Sequence, residues 1–432
     1  MEEGARILVT GAAGFIGRHV VAALLAAGYA VRVLVRRASP MPPGVEVVLG
    51  HMNDLASLHR ACAGCAGVIH LAAQTRDAPD IDEVNVGGAA CLVEACGATG
   101  CRRIVVVSTQ SAKIERKGGY ARTKAAADAL FLGSGLDVTV MLPSVVYGTP
   151  DDGIFGVLRR VVASHPVVPV LGDGRWRSAP VHVDDVARAL VRALAAPASI
   201  GHSYDLGGSE EIDFDALLDR IAAAQGLPAP MKLHVPLAVS LAAADVLARV
   251  MKTPPVTRSN VLGSNQDTHI DIAPARRDLA FDPIPLAEGL DRLFGRVDDA
   301  AALRGEAMVL TRYLVGTEAS PEIVGRYVDA HRALLPAAPD RITAFVRAHP
   351  GSAALLDAAA APRGTREPFR RRVLLMAAVL EATPEHASHF LPEARSRLAT
   401  LALLGWHGVR AVALAALGMP LYLWLRARPA DE

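Results

Sequence analysis

Between Arg6 and Leu142, short aliphatic runs alternate with longer windows whose apolar positions recur every three or four residues. Arg6–Thr10, Val31–Val35, Val45–Val48, Val68–Leu71, Arg103–Val107 and Val138–Leu142 have the nearly continuous apolar character of strands buried on both faces. Phe15–Ala27, Leu55–Cys62, Val84–Thr99 and Tyr120–Leu132 carry helical spacing instead. This alternation predicts βαβ units and an α/β fold: a doubly wound parallel sheet with helices on both faces, closed by right-handed crossovers. From residue 144 to about 296 the spacings become irregular and prolines frequent, which predicts a small substrate lobe completing a domain of residues 1–296. Beyond residue 298 the strand signals stop. Ser320-Pro321-Glu322 and Thr383-Pro384-Glu385 read as helix starts, a capping hydroxyl followed by proline at the first helical position. Residues 298–432 are therefore expected to form an all-helical appendage ending in an apolar helix over 398–425.

The bulk numbers fit a chain of 432 residues with two or three domains. A net charge of +1, with no basic run or aromatic-studded basic stripe, argues against nucleic acid as a partner. The cysteines (Cys62, Cys65, Cys91, Cys96 and Cys101) are odd in number and crowded into one stretch, which is no secreted disulfide framework. Cys62-Ala-Gly-Cys65 is half of a zinc motif without its other half, so buried thiols and no metal are expected. The first residues carry no basic segment before the opening strand, so no signal peptide and a cytoplasmic location are expected.

Thr10-Gly11-Ala-Ala-Gly14-Phe-Ile-Gly17 lies between the first strand and the first helix. In that context Gly11 allows the tight exit from the strand, and Gly14 lets backbone N–H groups approach a pyrophosphate. Gly17 lets the helix pack close to the sheet. The free N–H groups and positive dipole end of the helix then face the phosphates, so a Rossmann-type dinucleotide site is predicted. An acid at the end of the second strand would hold a ribose 2′-hydroxyl, but this chain has Arg36 and Arg37 there. Two guanidinium groups suit a 2′-phosphate, so NADP(H) is the expected cofactor, with NAD(H) the alternative.

Tyr120-Ala-Arg-Thr-Lys124 places a phenol and an ammonium one turn apart on one helix face, in a chain with only five lysines among its 45 basic residues. With TGAAGFIG (10–17), VIHLAAQ (68–74), VVVSTQSA (105–112), PSVVYG (143–148), VHVDDVARAL (181–190) and YDLGG (204–208), residues 4–296 resemble an extended or atypical short-chain dehydrogenase/reductase. This is the NAD-dependent epimerase/dehydratase superfamily, and the subgroup most similar is that of the NAD(P)-binding accessory subunit of respiratory complex I and its bacterial relatives. The resemblance implies Tyr120 as acid/base, Lys124 as the cation that stabilises its phenolate and binds the nicotinamide ribose, and a strand-end hydroxyl that orients the substrate oxygen. Ser108 is favoured for that hydroxyl over Thr109 and Ser111. It further implies a cofactor shell of Gly11, Ala13, Gly14, Phe15, Ile16, Gly17, Arg36, Arg37, Leu71, Ala72, Ala73, Asn85, Lys124, Pro143, Ser144 and Val145, with Asn85 fixing active-site backbone. Three departures stand out: a Ser108–Tyr120 interval of only twelve residues, His51 where the family often has aspartate, and Leu142 where many relatives carry arginine.

The expected function is an NADP(H)-dependent oxidoreductase acting on a small or apolar carbonyl or alcohol. The alternatives are a catalytically silent NADP(H)-binding structural or sensor protein and, more weakly, a sugar-nucleotide epimerase or dehydratase. The enzyme is favoured because a bare scaffold has little reason to keep both Tyr120 and Lys124. The stretch from Leu398 to Leu425, interrupted by His407 and Arg410, with Trp406 within it and Tyr422, Trp424, Arg426 and Arg428 at its end, is long enough to span a bilayer or lie on one. A membrane surface or membrane complex, at the inner membrane, is the partner this stretch suggests, with a buried bundle helix as the alternative. Arg370-Arg371-Arg372 would add contact with anionic lipid or form a solvated helix end. His386 and His389 share a helix face and are expected to face solvent.

Overall fold

In a computed structural model, the chain is described from residue 4 to 427 apart from 76–77, 116, 150–151, 165–166, 226, 228, 251–260, 262–266, 268, 295–298, 336–339, 385 and 387–396. The expected domain junction at 296–298, His389 and Arg428 lie outside the described residues. The chain divides into two compact units: Met1–Arg159, Val167–Leu218 and Lys232–Leu293 form one, and Arg160–Pro166, Asp219–Met231 and Phe294–Glu432 the other.

The first unit is built on a seven-stranded sheet. Its strands are β1 (Arg6–Thr10), β2 (Ala30–Val35), β3 (Glu46–Leu49), β4 (Gly67–His70), β5 (Arg103–Val107), β6 (Asp137–Pro143) and β7 (Ser203–Leu206). Their order is β7-β6-β5-β4-β1-β2-β3, and every neighbouring pair is parallel. Helices α1 (Phe15–Ala26), α2 (Leu55–Cys62), α3 (Gly88–Thr99), α4 (Gly119–Leu132) and α5 (Val183–Ala195) cover the sheet. Aliphatic side chains on both sides of the strands form two separate cores. Ile7, Val9 and Val33 pack toward α1 and α5, while Leu8, Val68 and Ile104 pack toward α2 and α3. The strand order reverses between β1 and β4, which opens a crevice at their carboxyl ends.

Six of the seven strands coincide with the predicted runs to within a residue or two. The seventh, Ser-Tyr-Asp-Leu, is short and carries a polar residue at alternate positions; it becomes a strand through pairing with β6. Within 144–296, where a small lobe was expected, α5 and β7 thus rejoin the sheet. Two buried arginines tie the layers together. Arg32 on β2 pairs with Glu46 at 2.9 Å and donates to the carbonyls of Ala61 (2.9 Å) and Ala63 (2.6 Å), closing the C-terminus of α2. Arg103 on β5 donates to the carbonyls of Asp137 (2.6 Å) and Ala193 (2.5 Å) and to Thr139 Oγ1 at 2.8 Å. Four of the cysteines are buried, and the sulfurs of Cys62 and Cys96 lie 3.8 Å apart.

The second unit contains the helices α6 (Asp299–Val315), α7 (Pro321–Leu334), α8 (Arg341–Ala348), α9 (Ala353–Ala360), α10 (Pro368–Glu381) and α11 (Arg397–Ala427). Ser320 caps α7 as predicted, its hydroxyl accepting from Ile323 N at 3.3 Å. Pro384 is helical as predicted, but the Thr383 hydroxyl before it donates back to the Val379 carbonyl (2.8 Å), closing α10. Two of the three arginines in the triplet turn inward. Arg372 is 1% exposed, 3.4 Å from Glu306 and 2.8 Å from Asp340, and Arg370 pairs with Asp357. Tyr327 and Arg347 bond to the same buried Glu306. Arg370 and Arg372 are therefore structural, because inward-facing carboxylates on neighbouring helices neutralise them, whereas Arg371 is exposed and donates to the Thr365 carbonyl. His386, expected to face solvent, is buried 3.4 Å from the Thr317 hydroxyl.

Candidate cofactor and active site

At the end of β1 the chain turns at Gly11, whose φ of +73° lies in the left-handed region that disfavours a side chain. A Cβ there would meet the backbone N of Ala72, after β4, at 2.7 Å. A Cβ on Gly17 would stand 2.2 Å from the carbonyl oxygen of Gly11 and 2.8 Å from Ala12 Cα. The loop, the start of α1 and the segment after β4 therefore come together only because these positions carry hydrogen. No side chain caps α1 at Gly14, and its first turn holds no acid. The N–H groups of Phe15, Ile16 and Gly17 are left for an anion, as a bound pyrophosphate requires. Ala13 and Gly14 are exposed on the same loop, and Leu71, Ala72 and Ala73 line the other side of the crevice, half-buried. Arg36 and Arg37 follow β2 directly, both exposed, with no side-chain partner among the described residues. His51, one residue beyond Gly50, is likewise exposed.

Behind the crevice, Thr10 Oγ1 accepts from Ala72 N (3.3 Å) and hydrogen-bonds His70 Nδ1 (2.8 Å), fixing the ends of β1 and β4 to each other. Burial, with Lys124 adding to it, pulls the His70 imidazole down to about 3. The unfolded chain binds a proton near the ordinary histidine value and the folded chain does not. Stability is therefore complete above pH ~6.5 and falls by about 1.4 kcal/mol per unit as the pH drops toward 3. Urea unfolding at pH 7.5 and pH 5 should show His70→Gln losing about 2 kcal/mol less than the wild type over that interval. Equal losses would show that His70 is not the titrating group.

Asn85 lies in a single π-helical turn, Glu83–Gly87, that leads into α3. Its Oδ1 accepts from Gln74 N at 2.7 Å, and its Nδ2 donates to Gln74 O (3.0 Å) and Thr123 Oγ1 (2.9 Å). Asn85 thus pins the strand extension after β4 to α4. The extra residue of the π turn, which no sequence period announces, sets its side chain for both contacts. β6 ends at the buried Pro143, and Ser144 and Val145 begin a loop held by Ser144 N to Leu206 O (2.9 Å) and Val181 N to Val145 O (2.9 Å).

On α4, Tyr120 is half-buried and Lys124 only 3% exposed. Four residues further, Asp128 completes an i, i+4, i+8 row that was readable in the sequence but not singled out. Its Oδ2 accepts a very short hydrogen bond from the Ser108 hydroxyl, and its Oδ1 is buried with no hydrogen-bond partner. Burial raises the Asp128 carboxyl above the ordinary range and lowers the Lys124 ammonium. Tyr120 is pushed up to about 12 by burial and by the Asp128 carboxylate. The Ser108 proton is committed to Asp128, whereas Thr109 and Ser111 share one hydrogen bond of 3.0 Å between their hydroxyls and so retain a proton for a further acceptor.

Residues 7–207 match the NAD dependent epimerase/dehydratase family. A ceramide reductase of Caulobacter vibrioides is 34% identical over 198 residues, 44% of this chain; the match spans 61% of that relative's length. The mitochondrial NADH dehydrogenase (ubiquinone) 1 alpha subcomplex subunit 9 of Dictyostelium discoideum is 25% identical over 300 residues, covering 66% of this chain and 83% of that one. A dTDP-glucose 4,6-dehydratase of Streptomyces venezuelae solved with NAD bound is 26% identical, with a TM-score of 0.55 over 67% of this chain and 95% of the dehydratase.

Proposed function

We propose that the chain, whose residues 7–207 match the NAD dependent epimerase/dehydratase family, is an NADP(H)-dependent oxidoreductase that reduces a carbonyl on an apolar molecule. The observation that carries this reading is the half-buried Tyr120 phenol one helical turn from the buried Lys124 on α4. At neutral pH the phenol carries its proton, and it remains a stronger acid than the alcohol that a reduced carbonyl becomes, so it can deliver that proton to the developing alkoxide. A reduced nicotinamide, held by the α1 N-terminus, Lys124 and the Pro143–Val145 loop, would supply the hydride. The chain's own contribution begins with the Thr109–Ser111 hydroxyl pair, which orients the substrate oxygen; Ser108 steadies Asp128 behind it. Tyr120 Oη passes its proton to that oxygen as the carbonyl becomes an alcohol. Lys124, whose ammonium burial makes a readier proton donor than an ordinary lysine, offsets the phenolate and restores its proton. The apolar substrate class is supported by the name of the ceramide reductase relative.

The preference for NADP(H) rests on Arg36 and Arg37, exposed and unpartnered where a 2′-phosphate would sit. In a calorimetric titration of the cofactor-stripped chain, NADPH is expected to bind at least about tenfold more tightly than NADH, about 1.4 kcal/mol. The double substitution Arg36→Ala/Arg37→Ala should erase that gap and leave NADH affinity in place. Failure of both dinucleotides to bind would overturn the reading, and equal binding would remove the preference for NADP(H). The alpha subcomplex relative favours a second reading, a cofactor-bound structural subunit. Tight NADPH binding with no hydride exchange onto long-chain ketones would select it.

A further inference from the structure

The terminal helix α11 has two unlike sides. Gly418, Tyr422 and Leu425 are buried at i, i+4 and i+7, and a Cβ on Gly418 would fall 2.3 Å from the carbonyl oxygen of Leu355 on α9. The Tyr422 hydroxyl donates to Glu367 at 2.7 Å, and Arg426 lies 3.2 Å from the same carboxylate. The opposite side, through Trp406, Val409, Val412, Ala413, Ala416, Leu417, Pro420 and Leu423, is exposed throughout and carries no charge. Its large residues Trp406, Val409, Val412, Leu417 and Leu423 are between 52% and 71% exposed. Of the most apolar 18 residues within Gly405–Arg426, only 17% are buried, unlike a core helix.

We infer that this face is a lipid-binding surface that lays α11 into one leaflet of a membrane without crossing it. The face runs about 26 Å along the helix and is about 10 Å wide, on the order of 300 Å². A stable dimer needs roughly 800 Å² on each partner, so a second copy of the chain is a poor occupant. Trp406 and Trp424 stand near its two ends, and the exposed Arg410 and Arg426 flank it, the residues suited to the headgroup layer. Crossing is excluded by the flanks. His386 before the helix and Tyr422 within it both bond into the same helical unit, at 3.4 Å to Thr317 and 2.7 Å to Glu367. A span would have to strip the packed side of α11 from α9 to expose the roughly 20 apolar residues that a bilayer core requires. The inference is independent of the redox chemistry, since lipid binding is read with no cofactor present.

The test uses the full chain with vesicles of phosphatidylcholine containing phosphatidylglycerol, followed by flotation. The wild type should float, and Val412→Asp/Leu417→Asp should lose at least about tenfold in partition. Those positions are exposed, so NADPH affinity and the circular dichroism spectrum should not change; Val412→Ser/Leu417→Ser provides a milder second variant, with a smaller loss in the same direction. Trp406 fluorescence should be quenched more by lipids brominated near the headgroup than by those brominated near the chain ends. A wild type that stays with the soluble fraction, or a double aspartate variant that floats equally well, would overturn the inference. So would strongest quenching at the bilayer centre, which indicates a span, or a lipid-free dimer dispersed by Leu417→Asp, which makes the face a subunit interface.

Discussion

Replacing Tyr120 by phenylalanine is expected to lower carbonyl reduction by about 10²- to 10⁴-fold, the usual contribution of a positioned proton donor, with cofactor affinity unchanged. The substitution removes one oxygen from the side of α4 and leaves the ring to fill its half-buried site. No hydrogen bond to the hydroxyl supports the fold among the described residues, so the loss should appear in kcat. Single-turnover measurements with saturating NADPH would separate it from product release. Undiminished turnover would mean that another group delivers the proton, and the row Tyr120, Lys124 and Asp128 would become structural. A loss of cofactor binding equal to the loss of rate would point to a collapsed crevice.

The second large effect belongs to Gly17→Ala. A single methyl there meets the Gly11 carbonyl oxygen at 2.2 Å, and the obstructing atoms are backbone, so no side chain can swing aside. Helix α1 must retreat from the loop, carrying its free N–H groups away from the phosphates. We expect about 1–3 kcal/mol lost from stability, the usual range for overpacking, and a Kd for NADPH raised at least about tenfold. Gly97→Ala is the matched control. Gly97 sits exposed within α3 with nothing within 4 Å of its Cβ position, so alanine should stabilise by about 0.5–1 kcal/mol and leave binding alone. Thermal melts and calorimetry on the pair decide the matter. Equal behaviour of the two variants would remove the steric account of the loop.

Much of the first domain was legible because its signals are local. An aliphatic run such as Arg103–Val107 can bury both faces only inside a sheet, and a glycine at the end of one such run, followed by helical spacing, permits few conformations. The Tyr120–Lys124 pair was readable for the same reason, since one helical turn places both on a common face. Asp128 was readable in principle by the same spacing, but an alanine-rich helix gives no sign that an aspartate at its middle will turn inward to meet Ser108.

What the sequence determined by itself is the set of elements along β1 to β6, the glycine cradle and the chemical types available at the crevice. These follow from side-chain periodicity and backbone freedom, which neighbouring residues settle among themselves. Only the tertiary structure decided that Ser203–Leu206 adds a seventh strand, that Ser108 gives its proton to Asp128, and that burial and Asp128 push the Tyr120 phenol upward. It also decided that Arg372 is buried against Glu306 and Asp340, and which side of α11 is left bare. Each of these depends on a partner tens of residues away, and on the loss of water that the partner's packing imposes. Neither has a trace in local periodicity.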